Sequence, residues 1–171
     1  EEIIEYARNS RKEIHHDDEV NIHDLIQKII DNFDFTENRD KIKICNDTPR
    51  DHVISTDKGR LKIVLNNLIG NAIKYHDVNQ DEPFVQITSI ISDNEIQLKV
   101  HDNGLGIEKE LQEKVFEMFY RASATSDGSG LGLYIAREMV DNLNGRLELE
   151  SEPGKGSLFT IIMPLVGKVV K

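Results

Sequence analysis

The chain has 171 residues, 38% of them hydrophobic, 6% aromatic and none tryptophan, which suits one domain with a lean core. Its formal net charge of −10 argues against nonspecific binding to nucleic acid or to an anionic membrane, so an anionic ligand has to be held by a local site and a metal ion. The single Cys45 cannot form an internal disulfide and fits a reducing compartment, and neither a membrane-spanning apolar run nor a signal-peptide pattern is present, so the chain is expected to be cytoplasmic and without direct membrane contact.

Residues 1–19 are polar, with a sparse helical stripe at Ile3, Ile4, Ala7 and Ile14 that needs a partner helix. They are expected to be the trailing end of an upstream helix plus a linker, in a piece of a longer protein. His15-His16-Asp17-Asp18 reads as solvated linker, because no second cluster of ligands has a recognisable spacing. Residues 21–35 form an amphipathic helix through Ile22, Leu25, Ile26, Ile29, Ile30 and Phe33. Residues 41–45 alternate as a strand before a turn at Pro49, and residues 52–56 form a second short strand. Asp57 is the expected N-cap of a helix running to Tyr75. After a loop at residues 77–83, strands at 84–92 and 95–101 are joined by the turn Ser92-Asp93-Asn94. The spacing of Leu111, Val115, Phe116 and Phe119 predicts a helix over residues 108–119, and residues 120–129 read as loop. A helix over 131–143 stops at Asn144-Gly145, and a last hairpin, 146–150 with 158–163, turns at Pro153-Gly154-Lys155-Gly156. Helices and strands not in strict alternation predict an α+β two-layer sandwich, a mixed, mostly antiparallel sheet packed on helices, over residues 20–165 with a tail at 166–171.

Three stretches carry chemistry. In the helix after Asp57, Asn67, Asn71 and Lys74 fall at i, i+4 and i+7 and share one narrow stripe. Asparagine is a mediocre helix former, so two in line with a lysine are poorly explained by helix stability. Amide oxygens can ligate magnesium and a lysine can meet a phosphate; a solvated helix face is the plain alternative. Asp102-Asn103-Gly104-Leu105-Gly106 ends a strand: the glycines admit a flat ligand closely, and the carboxylate can accept from an exocyclic amine such as adenine's, although an ordinary Asx turn has the same composition. Asp127-Gly128-Ser129-Gly130-Leu131-Gly132-Leu133 runs from a glycine-rich loop into a helix, where free N–H groups bind phosphate. It lacks both the preceding strand of a dinucleotide fingerprint and the Gly-Lys-Ser/Thr of a P-loop. Together the three supply metal ligands, an amine acceptor and phosphate donors, the set that Mg-ATP requires.

These residues resemble the sensor histidine kinases. Asn67-Leu68-Ile69-Gly70-Asn71-Ala72-Ile73-Lys74-Tyr75 resembles their N box, Asp102-Asn103-Gly104-Leu105-Gly106-Ile107 their G1 box, Phe116-Glu117-Met118-Phe119-Tyr120-Arg121 their F box and Gly128-Ser129-Gly130-Leu131-Gly132-Leu133 their G2 box, in the family's order. The resemblance covers about residues 20–165 and implies the Bergerat ATP-binding fold shared with gyrase, heat-shock chaperone and mismatch-repair ATPases. It implies ATP and Mg²⁺ as ligands, with Asn71 on the metal and Asn67 beside it at the phosphates. Lys74 is expected on phosphate, Tyr75 against base or sugar, and Asp102 on the adenine amine in a pocket shaped by Gly104, Gly106 and Ile107. Arg121 is expected to orient the γ-phosphate, with Phe119 nearby; Gly128, Gly130, Leu131, Gly132 and Leu133 belong to the closing lid. Asn67, Lys74 and Arg121 are the expected catalytic set.

The gyrase-like members carry a general-base Glu where this chain has Asn67. A carboxamide has no useful basicity near neutral pH, which favours phosphoryl transfer to a protein over hydrolysis. The acceptor motif is not matched: His23-Asp24-Leu25-Ile26-Gln27 lacks the Arg and Pro that should follow and falls inside the first helix of the ATP domain. The acceptor His is therefore expected on a dimerisation domain outside the chain. A homodimeric parent with a response-regulator partner is implied, the chain itself being a monomer. A gyrase-like hydrolase and a nucleotide-sensing pseudokinase are the alternatives, the latter suggested by a short lid at residues 122–127 ending in Asp127.

Overall fold

A computed structural model describes residues 18–34, 39–121 and 129–165 of the chain. Strand β1 (Asp18–Asn21) leads directly into helix α1 (Ile22–Asn32). Asn21 is the pivot: its side-chain oxygen accepts from the Asp24 N–H at 3.0 Å, and Ile22, Leu25, Ile26, Ile29 and Ile30 then face inward. Strands β2 (Lys43–Asn46) and β3 (Val53–Thr56) follow, and β3 pairs antiparallel with β1 as a separate two-stranded ribbon. Residues 18 and 19, read from sequence as linker, thus belong to this ribbon.

Helix α2 (Lys58–Lys74) begins where Asp57 accepts from the Arg60 N–H at 3.0 Å, and the same carboxylate pairs with the Arg60 guanidinium. Leu61, Val64, Leu65, Leu68, Ile69 and Ala72 are buried along it. Strands β4 (Phe84–Ile91) and β5 (Glu95–Asp102) form the expected hairpin. Helix α3 (Gly132–Asn142) ends as the sequence predicts. Asn144 turns left-handed at φ 57°, so that its N–H reaches Asp141 O at 2.9 Å and the Gly145 N–H reaches Val140 O at 3.0 Å. Strands β6 (Arg146–Glu152) and β7 (Gly156–Pro164) complete a five-stranded sheet of order β2-β4-β5-β7-β6, in which only β2 and β4 are parallel.

Alternation along the central strands buries Val85 and Ile87, Ile96, Leu98 and Val100, and Phe159, Ile161 and Met163 in one core with the three helices. The two-layer α+β sandwich is the one predicted. Leu68 sits wholly buried in that core, so Leu68→Ala is expected to cost about 3 kcal/mol, read as a lower denaturation midpoint with an unchanged slope. Among the described residues no helix is long and apolar enough to cross a membrane.

One element departs from expectation. Residues 108–119 are not a helix but two short 3₁₀ turns, Lys109–Leu111 and Lys114–Phe116. Glu117 is extended and Phe119 is left-handed at φ 63°, which no helix accommodates. Phe116 is buried, but Phe119 is 65% exposed, so the apolar spacing reflects a turn folded over the core rather than one helical face.

Candidate functional site

Between α2, the end of β5, the two 3₁₀ turns and the start of α3 lies a cavity of about 740 Å³. One wall is the polar stripe of α2, where Asn67, Asn71 and Lys74 line it together with Tyr75. This explains a helix with apolar residues on several sides: one face serves the core and another the cavity. The Asn67 amide nitrogen donates to Ile63 O at 2.9 Å, one turn back on its own helix, which leaves its oxygen as the group to be used. That oxygen is aimed at the start of α3, because a Cβ added to Gly132 would lie 2.6 Å from it. Gly132→Ala is therefore expected to displace the Asn67 carboxamide and weaken ligand binding several-fold, with little change in melting temperature; titration beside a melting curve tests this.

Asp102 also lines the cavity, buried at the last position of β5. Its carboxylate accepts the Gly104 N–H at 2.8 Å and also the Ser157 backbone N–H. Burial pushes this carboxyl above its usual range, while the two N–H groups and nearby His101 pull it back down. A buried, hydrogen-bonded carboxylate with its remaining lone pairs on a cavity is suited to accept from a ligand N–H. Beside it, Leu105, Gly106 and Ile107 line the cavity, as do Leu111 and Val115 of the turns and Phe159 of β7. The lining here is mostly apolar, with the carboxylates of Asp102 and Glu108 among it, and of the two only Asp102 is buried.

The third wall comes from the glycine-rich segment. Gly130, Gly132 and Leu133 line the cavity, with Tyr120 and Arg121 opposite. The Phe119 N–H donates to Gly130 O at 3.0 Å and clasps the two flanks together. Helix α3 starts without a side-chain cap, and its first turn meets the cavity at Gly132 and Leu133.

Eleven of the sequence-predicted residues meet at this cavity: Asn67, Asn71, Lys74, Tyr75, Asp102, Gly106, Ile107, Arg121, Gly130, Gly132 and Leu133. Three do not line it. Phe119 points to solvent, Leu131 is in the core, and Gly104 is buried behind Asp102, touching the Tyr75 carbonyl. Gly128 and Asp127 lie outside the described residues. Sequence reasoning missed Asn66, Phe33, Ile63, Ser157 and Phe159, which also line the cavity. Only Asn66 carried a signal, as a third asparagine on the same helix; the others are ordinary helix or strand positions until the chain is folded.

Residues 56–167 match the family model described as histidine kinase-, DNA gyrase B- and HSP90-like ATPase. The chain belongs to this ATPase family. The sensor-like histidine kinase SenX3 of Mycolicibacterium smegmatis is 34% identical over 168 residues, covering 95% of this chain and 43% of that protein. The sensor histidine kinase WalK of Bacillus subtilis is 35% identical over 150 residues, covering 80% of this chain and 23% of that protein. The catalytic domain of the histidine kinase ThkA superposes with a TM-score of 0.75 at 29% identity, covering 90% of this chain and 97% of that one. This ATPase-family chain therefore spans less than half the length of the curated relatives and nearly the whole of a solved kinase catalytic domain.

Proposed function

We propose that the chain is the ATP-binding catalytic domain of a sensor histidine kinase, which passes the γ-phosphoryl of ATP to a histidine on a dimerisation domain outside it. The observation that carries this reading is the make-up of the cavity: a buried acceptor, Asp102, and the Asn67-Asn71-Lys74 stripe line the same space. Asp102 takes the adenine amine, the slot around Ile107 holds the base, and Lys74, Arg121 and the first turn of α3 hold the phosphates.

The donor set fits Mg²⁺. Asn71 lines the cavity without spending its carboxamide on the described chain, and the Asn67 oxygen is left open by its own helix bond. Among the described residues no group of three or more His, Cys, Asp and Glu stands ready to hold a metal by itself, which suits a cation completed by phosphates and water. Held by Asn71 with Asn67 beside it, Mg²⁺ would supply neutralisation of the phosphate charge. The chain's own part is positioning and charge stabilisation: Lys74 as a point charge and Arg121 as a planar fork on the transferring group. Asn67 cannot act as a general base on water, so the domain holds ATP without hydrolysing it readily. The same reading places the chain in the cytoplasm and gives the parent a response-regulator partner.

Calorimetric titration with ATP, with and without Mg²⁺, followed by incubation with a dimerisation domain from the same protein, tests the proposal. Magnesium-dependent binding, weakened by Asn71→Ala, and transfer of label to a histidine are expected. Tight ATP binding with rapid release of phosphate to water would overturn it in favour of a hydrolase.

A further inference from the structure

Ile107 lines the cavity, yet both of its backbone polar groups are held by side chains from outside it. Its N–H donates to the Ser151 hydroxyl oxygen at 2.8 Å. Its carbonyl accepts from Gln112 Nε2 at 3.1 Å, and the same nitrogen donates to the Ser151 carbonyl at 2.8 Å. The two acceptors are both carbonyl oxygens, so only the amide nitrogen can face them, and each of its hydrogens has one partner. The Ser151 hydroxyl is committed too: it donates to Gly156 O at 2.8 Å and sits 2.9 Å from the Ser157 hydroxyl, whose own backbone N–H reaches Asp102. One further stitch, Gly154 N–H to Leu105 O at 2.8 Å, ties the same loop to the β6–β7 turn. Neither Gln112 nor Ser151 lines the cavity.

The geometry points to Gln112 and Ser151 as positioning residues that set the base slot without touching the ligand. They fix Ile107 and the preceding loop against the β6–β7 hairpin, and so fix the distance between the apolar wall and the Asp102 carboxylate. This also gives a reason for two 3₁₀ turns where a helix was expected: the turn after Lys109–Leu111 delivers Gln112 to two carbonyls that have no other side-chain donor among the described residues. A slot held at fixed width discriminates bases by shape and donor pattern; a loosened one does not.

The inference rests on the reading of Asp102 as the adenine acceptor, and the test separates the two. Affinities for Mg-ATP and Mg-GTP are measured on the wild-type chain, Gln112→Glu and Gln112→Lys, with melting temperatures alongside. Gln112→Glu keeps the size but replaces the donor by an acceptor against two carbonyls. The ATP/GTP affinity ratio is expected to fall about tenfold, with ATP weakened and GTP nearly unchanged, and Gln112→Lys, which restores donors, is expected to recover most of it. Equal weakening of both nucleotides, or an unchanged ratio in folded Gln112→Glu, would overturn the positioning role. A wild-type chain that prefers neither nucleotide would overturn the adenine reading itself. Ser151→Ala, which removes the hydroxyl that holds the Ile107 N–H, provides the second variant and is expected to lower the same ratio.

Discussion

Asp102→Asn is expected to abolish most nucleotide binding, on the order of a 100-fold loss, while leaving the fold intact. The carboxylate is buried at the end of β5 with two backbone N–H groups on it, and in the proposed complex its remaining lone pairs meet the adenine amine. An asparagine can offer one oxygen but also presents an NH₂ group, so a donor faces a donor on one side.

Its pH behaviour has a definite sign. The folded carboxyl sits above its ordinary value of 3.8, so the folded state holds this proton more readily than the unfolded state. The charged group therefore costs stability at neutral pH. That cost is relieved as pH falls through the raised native value and is gone below the unfolded one. Asp102→Asn carries no such charge. Its melting temperature at pH 7 is expected to equal or exceed that of the wild type, and the difference should close as pH is lowered toward about 4. ATP binding by the wild type should decline over the same window, as the acceptor takes up a proton. Melting curves and titrations on both proteins across this range check each statement; a strongly destabilised Asp102→Asn at neutral pH would contradict the first.

Among the described glycines, Gly156→Ala is expected to be the most damaging, costing about 3–5 kcal/mol. Gly156 opens β7 at φ 100°, and an added Cβ would collide with the Asp102 carbonyl oxygen and come within 2.6 Å of Asn103 Cα. Both neighbours are backbone and cannot swing aside. Relief requires β5 and β7 to part just where Asp102 is held, so stability and nucleotide binding should fall together. Gly154, two residues earlier in the same turn, is the control. Its φ is 74°, but nothing lies within 4 Å of the added atom, so Gly154→Ala should cost only the left-handed backbone penalty of about 1 kcal/mol. Chemical denaturation of the two variants side by side tests this; equal effects would mean that backbone strain, not the strand contact, dominates at Gly156.

The sequence by itself determined the local elements and the chemistry of the site. Periodicity located α1, α2 and α3 because each buries a face large enough to leave its mark, and Asp57 and Asn144 marked ends because caps are local contacts. Asn67, Asn71 and Lys74 stood out as a candidate stripe, with a solvated helix face as the plain alternative until the other motifs were read beside them. The order of the four motifs then supplied the ligand.

Only the tertiary structure decided the rest. The pairing of β1 with β3, and of β2 with β4 in parallel, joins short strands whose partners no local pattern names. The two turns at residues 109–116 stand where local spacing predicts a helix, and they let Gln112 bond Ile107 O in the adjoining loop and Ser151 O on β6, a contact that exists only in the packed fold. Phe119 left the cavity for solvent through a left-handed backbone that its residue type does not advertise, and Phe33, Ile63 and Phe159 entered it from elements that the sequence marks as core. Side-chain chemistry travels with the residue, whereas the walls of a cavity are long-range contacts that exist only after the layers have packed.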